Sequence, residues 1–346
     1  MNLAQFYPWQ VDTAKAWLTQ RERFAHAWLI HGPEGVGKLN FSLAAAASLL
    51  CTDAREGIAC GKCQSCHWFS LGNHMDFRLV LPDALSDKLG LSTEDSSKDK
   101  TTETKLSNEI RIEQVRQLED FMGLTTHQGG LRVVVLGPAE ALNTASANAI
   151  LKVLEEPNQN TVFLLYTHAP QKLLPTIISR CRRLPLTIPE RAVAQAWLQA
   201  QGVNQAELWL AAAAGAPLRA LESSDSPLEP LAYWLQAFVE ELVQRRMPDL
   251  DSYVARLEKV ANAQWIDSLQ RLCIDLNLLH YSLPLRFFPS LEALLQGLAT
   301  QVNPVKLAEL QEYLKGQQRL ANHPLNAKLF IQSTLQRVVL SCLAKK

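Results

Sequence analysis

The sequence predicts an α/β protein with a parallel sheet covered on both faces, followed by helical domains. Three observations carry that prediction. Short apolar, β-rich runs alternate with helical runs as far as about Pro189. A glycine-rich loop with phosphate-loop spacing joins the first β-rich run to the next helix. Beyond Pro189 the β-rich runs stop and the pattern is helical to the end of the chain.

The strands expected are Ala27–His31, Phe77–Leu81, Leu131–Leu136 and Val162–Thr167. Leu131–Leu136 and Val162–Tyr166 are almost continuously apolar, as strands buried on both faces of a parallel sheet require. Between them, Asn40–Cys51 is rich in the helix formers Ala and Leu, and Ile112, Val115, Leu118 and Phe121 recur at helical spacing. Ser86–Asn108 is polar, mixed in charge and nearly free of large apolar residues, which predicts a long mobile insertion. Ala192–Gln201 and Gln205–Ala214 read as short helices. Breaks in the helical remainder are expected near Met247-Pro248, Ser282–Pro289, Asn303-Pro304 and His323-Pro324. The expected division is an α/β domain over 1–168, a small helical domain over 169–222 and a larger one over 223–346.

Composition narrows the function. Of 346 residues, 47% are hydrophobic, enough for more than one core, and Lys+Arg equals Asp+Glu at 34 each. Binding to nucleic acid or membrane by bulk charge is therefore not expected. No apolar run is long enough for a transmembrane helix, and Met1–Tyr7 lacks the pattern of a signal peptide. These features predict a cytoplasmic protein without a membrane partner, whose seven cysteines are thiols or metal ligands.

Gly32-Pro33-Glu34-Gly35-Val36-Gly37-Lys38 follows a predicted strand and precedes a predicted helix. In that context its backbone N–H groups and helix N-terminus suit phosphate, with Lys38 toward the β and γ phosphates. The position after the lysine normally carries Ser or Thr to ligate Mg²⁺. Here it is Leu39, which cannot. The strand Leu131–Leu136 normally would end in Asp-Glu but ends in Gly137-Pro138, with Glu140 two or three positions late. The cradle for ATP or ADP is present and the groups for Mg²⁺-dependent hydrolysis are not. A loop that merely closes the strand–helix turn is the competing reading.

Cys51, Cys60, Cys63 and Cys66 have the spacing C-x8-C-x2-C-x2-C. Four thiolates complete a tetrahedral shell for structural Zn²⁺, with no open position for catalysis. C-x2-C-x2-C also resembles ferredoxin spacing, so an iron–sulfur cluster competes, and His67 and His74 are nearby alternative ligands. Cys181, Cys273 and Cys342 are scattered and read as packing residues, as do the eight dispersed tryptophans.

Together these features resemble one family. Gly32–Lys38, the four cysteines, Leu71–Phe77, Asn148–Pro157 and Leu173–Cys181 occur in this order in bacterial AAA+ clamp-loader subunits. The resemblance is detailed over about residues 20–190. It implies a P-loop NTPase-like AAA+ domain, a helical lid and a C-terminal helical collar that joins five subunits in a ring. It also implies work beside gamma/tau motor and delta subunits, with the sliding clamp and primer–template DNA reached through the complex. At the level of that complex the activity is a DNA-directed DNA polymerase, a nucleotidyltransferase. Leu39 and Gly137-Pro138 match the non-hydrolysing stator of the family. In the Ser179-Arg180-Cys181 motif the resemblance makes Arg180 a trans arginine finger for the neighbouring subunit's ATP. A structural ion pair is the competing role for Arg180. Thr167 matches a sensor position with a packing or polar role, and Arg219 lies near a second sensor position but out of register.

Two alternatives stand beside the stator. An ATP-hydrolysing gamma-type motor would need replacements for the missing Mg²⁺ contacts. A P-loop nucleotide kinase would need Ser or Thr after Lys38 and would leave the helical C-terminal half unexplained.

Overall fold

A computed structural model describes residues 5–20, 24–91, 106–123, 130–156, 158, 160–225, 233–321, 323 and 326–343. The chain separates into two compact units, Met1–Ala194 and Gln195–Lys346.

The first unit is built on a five-stranded, wholly parallel sheet: β1 (Ala27–His31), β2 (Phe77–Val80), β3 (Arg132–Leu136), β4 (Thr161–Thr167) and β5 (Arg182–Pro185), in the order β2-β3-β4-β1-β5. Its helices are α1 (Val11–Leu18), α2 (Lys38–Leu50), α3 (Gln64–Ser70), α4 (Asp83–Lys88), α5 (Ile112–Gly123), α6 (Thr144–Glu155) and α7 (Pro175–Arg180). Side chains alternate across a strand, and that alternation divides the interior into two cores. Trp28, Ile30, Val133, Val135, Leu164 and Tyr166 face α1 and α2, against Trp17, Phe41 and Ala45. Leu29, Val134, Leu136, Phe163 and Leu165 face the other way, against Val115 of α5, Ile150 of α6 and Ile177 of α7. The central strands β3 and β4 are buried along their whole length, as their apolar runs require.

Four of the five strands fall within a residue of their expected positions. The fifth, β5, pairs with β1 in the register Trp28↔Arg182 to His31↔Pro185 and was not expected. It is an edge strand whose residues are largely exposed, so it lacks the apolar run that betrays a strand. The first residues of the expected 86–108 insertion are helical instead. Ser86–Lys88 completes α4, which starts at Asp83, and residues 92–105 lie outside the described residues.

The second unit is helical. After α8 (Arg191–Ala200), which crosses the boundary between units, come α9 (Ala206–Ala212), α10 (Pro217–Ser224), α11 (Tyr233–Val243), α12 (Leu250–Leu257), α13 (Asn262–His280), α14 (Glu292–Gln301), α15 (Pro304–Leu320) and α16 (Ala327–Leu343). The last six share one core, with Phe238, Trp265, Leu269, Leu295, Leu310 and Leu335 at its centre. Each predicted break separates two helices. One further break, Glu258–Ala261 between α12 and α13, carries neither Gly nor Pro. Asp275 is fully buried in α13 and accepts the backbone N–H groups of Arg286, Phe287 and Phe288 at 2.8–3.2 Å. It thereby satisfies a buried turn that would otherwise carry orphan donors. Among the described residues no helix is long and apolar enough to cross a membrane.

Candidate functional site

The phosphate-type loop lies between β1 and α2, at the C-terminal edge of the sheet where α/β folds place ligands. Gly37 caps α2 with φ 89°, a conformation that favours glycine. Lys38 opens the helix, but its side chain folds back. It is 2% exposed, and Nζ donates to the Gly32 carbonyl at 2.7 Å and to the Pro33 carbonyl. Burial pushes the ammonium down to about 8, with Glu140 and Glu34 opposing.

Contacts from the N-terminal segment reach the same loop. Gln10 Nε2 donates to the carbonyls of Val36 and Gly37 at 2.9 and 3.1 Å, and Trp9 Nε1 donates to Val36 at 3.1 Å. Tyr7 stacks on Trp9 with ring centroids 4.9 Å apart. A Cβ on Gly37 would come within 2.8 Å of the Tyr7 ring and of Gln10 Nε2. This bracing was not legible in the sequence, because it joins residues some 26 positions apart through backbone carbonyls.

The two positions that would hold a metal ion are occupied differently. Leu39 packs against the apolar core under α2. At Gly137 a Cβ would lie 2.7 Å from both the Tyr166 ring and the Tyr166 carbonyl oxygen. An acidic side chain has no room there without moving β4. Glu140, in the short 3-10 turn Ala139–Ala141, instead accepts from Thr167 Oγ1 at 2.7 Å and from the His168 N–H at 2.9 Å. Of the packing or polar role expected of it, Thr167 takes the polar one, as a brace between β4 and the turn after β3. Burial, reinforced by Lys38, holds the His168 imidazole below its ordinary range, with Glu140 and Glu34 opposing.

Arg180 ends α7, with its side chain about one third exposed. Nη1 donates to the Thr176 carbonyl at 2.9 Å, and Nη2 pairs with Glu155 Oε1 at the end of α6. Within this chain Arg180 therefore makes an ion pair, with its side chain partly exposed. Arg219 is exposed on α10.

The four cysteines converge. Cys51 caps the C-terminus of α2, Cys63 is the N-cap of α3, Cys66 lies in the first turn of α3, and Cys60 sits on the connecting loop. Their sulfur atoms all lie within 4.8 Å of one another, with Cys51 and Cys63 Sγ 3.7 Å apart. A tetrahedron with metal–sulfur bonds of about 2.3 Å has edges of about 3.8 Å, so the cluster fits a metal ion. Backbone N–H groups of Cys60, Cys63 and Cys66 point at the sulfurs of Cys51, Cys60 and Cys63 at 3.3–3.4 Å, which favours thiolates. Burial opposes ionisation of Cys63, but hydrogen bonds from Thr52 and the Cys66 N–H outweigh it and bring that thiol down to about 5, while burial pushes the Cys51 and Cys66 thiols up, so in the protein alone Cys63 ionises first. His74, one of the alternative ligands, instead faces Ser65 Oγ at 2.9 Å from Nε2 and receives the Asp76 N–H at Nδ1.

Comparison with known proteins places the chain in a family. The family described as "DNA polymerase III, delta subunit" matches residues 13–190. DNA polymerase III subunit delta' of Pseudomonas aeruginosa is 38% identical over 222 residues, 63% of this chain and 61% of that protein. The chain thus spans about three fifths of the length of that curated relative. DNA polymerase III subunit tau/gamma of Haemophilus influenzae is 32% identical over 176 residues, 51% of this chain and 22% of that protein. Among solved structures, a DNA polymerase III gamma subunit-related protein from Thermotoga maritima covers 96% of this chain and 99% of its own, at 18% identity and TM-score 0.42.

Proposed function

The chain belongs to the DNA polymerase III delta-subunit family, and from that membership we propose that it is the delta' stator of a bacterial clamp loader. In this reading it binds gamma/tau and delta subunits in a ring through lid and collar helices; the lid expected over 169–222 is narrowed to the helices beyond Ala194, because α7 and β5 pack with the sheet. The assembly places the sliding clamp on primer–template DNA in the cytoplasm. The chain hydrolyses no ATP of its own and lends Arg180 to the ATP of the neighbouring motor subunit.

One observation supports the reading above others. The phosphate loop keeps its spacing while both metal-holding positions are lost, one to an apolar side chain and one to a glycine with no room for any side chain. The partly exposed side chain of Arg180, at the end of α7, supports the second half of the proposal. A guanidinium there can stabilise charge that develops on a phosphoryl group in transfer. Zn²⁺ is the ion we assign to the four cysteines, since a closed shell of four sulfurs is its structural site. Its role is to pin α3 to the end of α2.

The test is reconstitution. Mixed with tau/gamma and delta subunits from one bacterium, the chain completes a complex that loads the clamp onto primed DNA. Omitting it abolishes loading. Loading at an unchanged rate without the chain would reject the stator reading.

A further inference from the structure

Within the proposed trans site, and resting on that reading, we infer that Glu155 is a positioning residue for the Arg180 guanidinium. An arginine acting across an interface must present its N–H groups in a fixed plane, because loss of orientation alone is costly in rate. The side chain of Arg180 has four rotatable bonds and is about one third exposed, so packing does not fix it. Two anchors do. The Thr176 carbonyl takes one N–H from Nη1, and Glu155 Oε1 takes one from Nη2. A guanidinium carries five N–H donors, so three remain for a phosphoryl group while both anchors hold.

The anchors come from different elements. Thr176 lies one turn before Arg180 on α7, and Glu155 is the last residue of α6. α6 is itself fixed to the sheet through Ile150, Val153 and Leu154. Glu155 thus ties the tip of Arg180 to the core of the first unit. The side chains of this pair are 32% and 49% exposed, and such surface pairs add little to stability. A carboxylate that adds little to the fold, set against a catalytic guanidinium, is explained by orientation. Glu155 lies within the Asn148–Pro157 segment that carries the family resemblance, but its pairing with Arg180, 25 residues away, is set by the fold.

The test uses the reconstituted loader with clamp and primed DNA, comparing wild type, Glu155→Ala, Arg180→Ala and the double variant. Arg180→Ala lowers stimulated ATP turnover by about 10-fold or more. Glu155→Ala lowers kcat by roughly 3- to 10-fold with KM for ATP unchanged, and thermal unfolding of the isolated chain does not shift. The double variant is no worse than Arg180→Ala, because Glu155 acts only through the arginine. Normal or raised turnover in Glu155→Ala beside an impaired Arg180→Ala overturns this inference and leaves the finger intact. Losses that multiply in the double variant overturn it too. Normal turnover in Arg180→Ala overturns the finger itself, and the inference with it.

Discussion

Gly137 and His168 show how single residues at the sheet edge decide what the site can do. A motor subunit needs an acidic side chain after β3, and here the Tyr166 carbonyl would lie 2.7 Å from the first carbon of any such side chain. Gly137→Asp therefore does not restore metal-dependent hydrolysis and lowers stability by about 1–3 kcal/mol, the usual cost of overpacking. Chemical denaturation measures the second effect, and a fully stable Gly137→Asp chain would contradict the contact. His168 gives a pH signature. Its folded pKa is depressed by burial and by Lys38. As pH falls through about 6.5, the unfolded chain accepts a proton that the folded chain still refuses. The stability linked to this group is fully present above that pH and is lost as pH falls toward the folded value. The loss is at most about 1.4 kcal/mol per pH unit. His168→Gln has a shallower decline in unfolding free energy between about pH 6.5 and 5 than wild type. Parallel slopes would refute the assignment.

At the scale of elements, legibility followed burial. β1, β3 and β4 were readable because their apolar runs are buried on both faces. β5 was not, because its charged residues lie at the sheet edge, with Arg182 set over the Trp28 ring at 5.6 Å. α4 was hidden because none of its residues is buried, so it has no apolar stripe to read. The cysteine cluster was legible from spacing alone, since three cysteines at two-residue intervals with a fourth nearby have the spacing of a metal-ligand set. It carries a metal-removal prediction. The purified chain holds about one Zn²⁺, and the thiols of Cys51, Cys60, Cys63 and Cys66 resist a thiol reagent until a chelator strips the ion. Immediate reaction of all four in the native protein, without metal release, would show that the cluster is free thiol.

For the whole molecule, the loop spacing and the Ser-Arg-Cys motif were readable because each is local in sequence. The partners that define their chemistry were not. Gln10 on the phosphate loop, Glu140 on Thr167 and Glu155 on Arg180 are all set by the fold across separations of 25 residues or more. The phosphate-type loop is braced and lacks metal-holding groups, and Arg180 is the residue we propose the chain lends to a neighbour. The most direct test is steady-state ATP hydrolysis, with clamp and primed DNA, by the chain alone, by the reconstituted loader and by the loader carrying Arg180→Ala. No turnover is expected from the chain alone, full turnover from the loader and a loss of about 10-fold or more in the variant. Turnover by the chain alone, or an unimpaired Arg180→Ala loader, would contradict the stator reading.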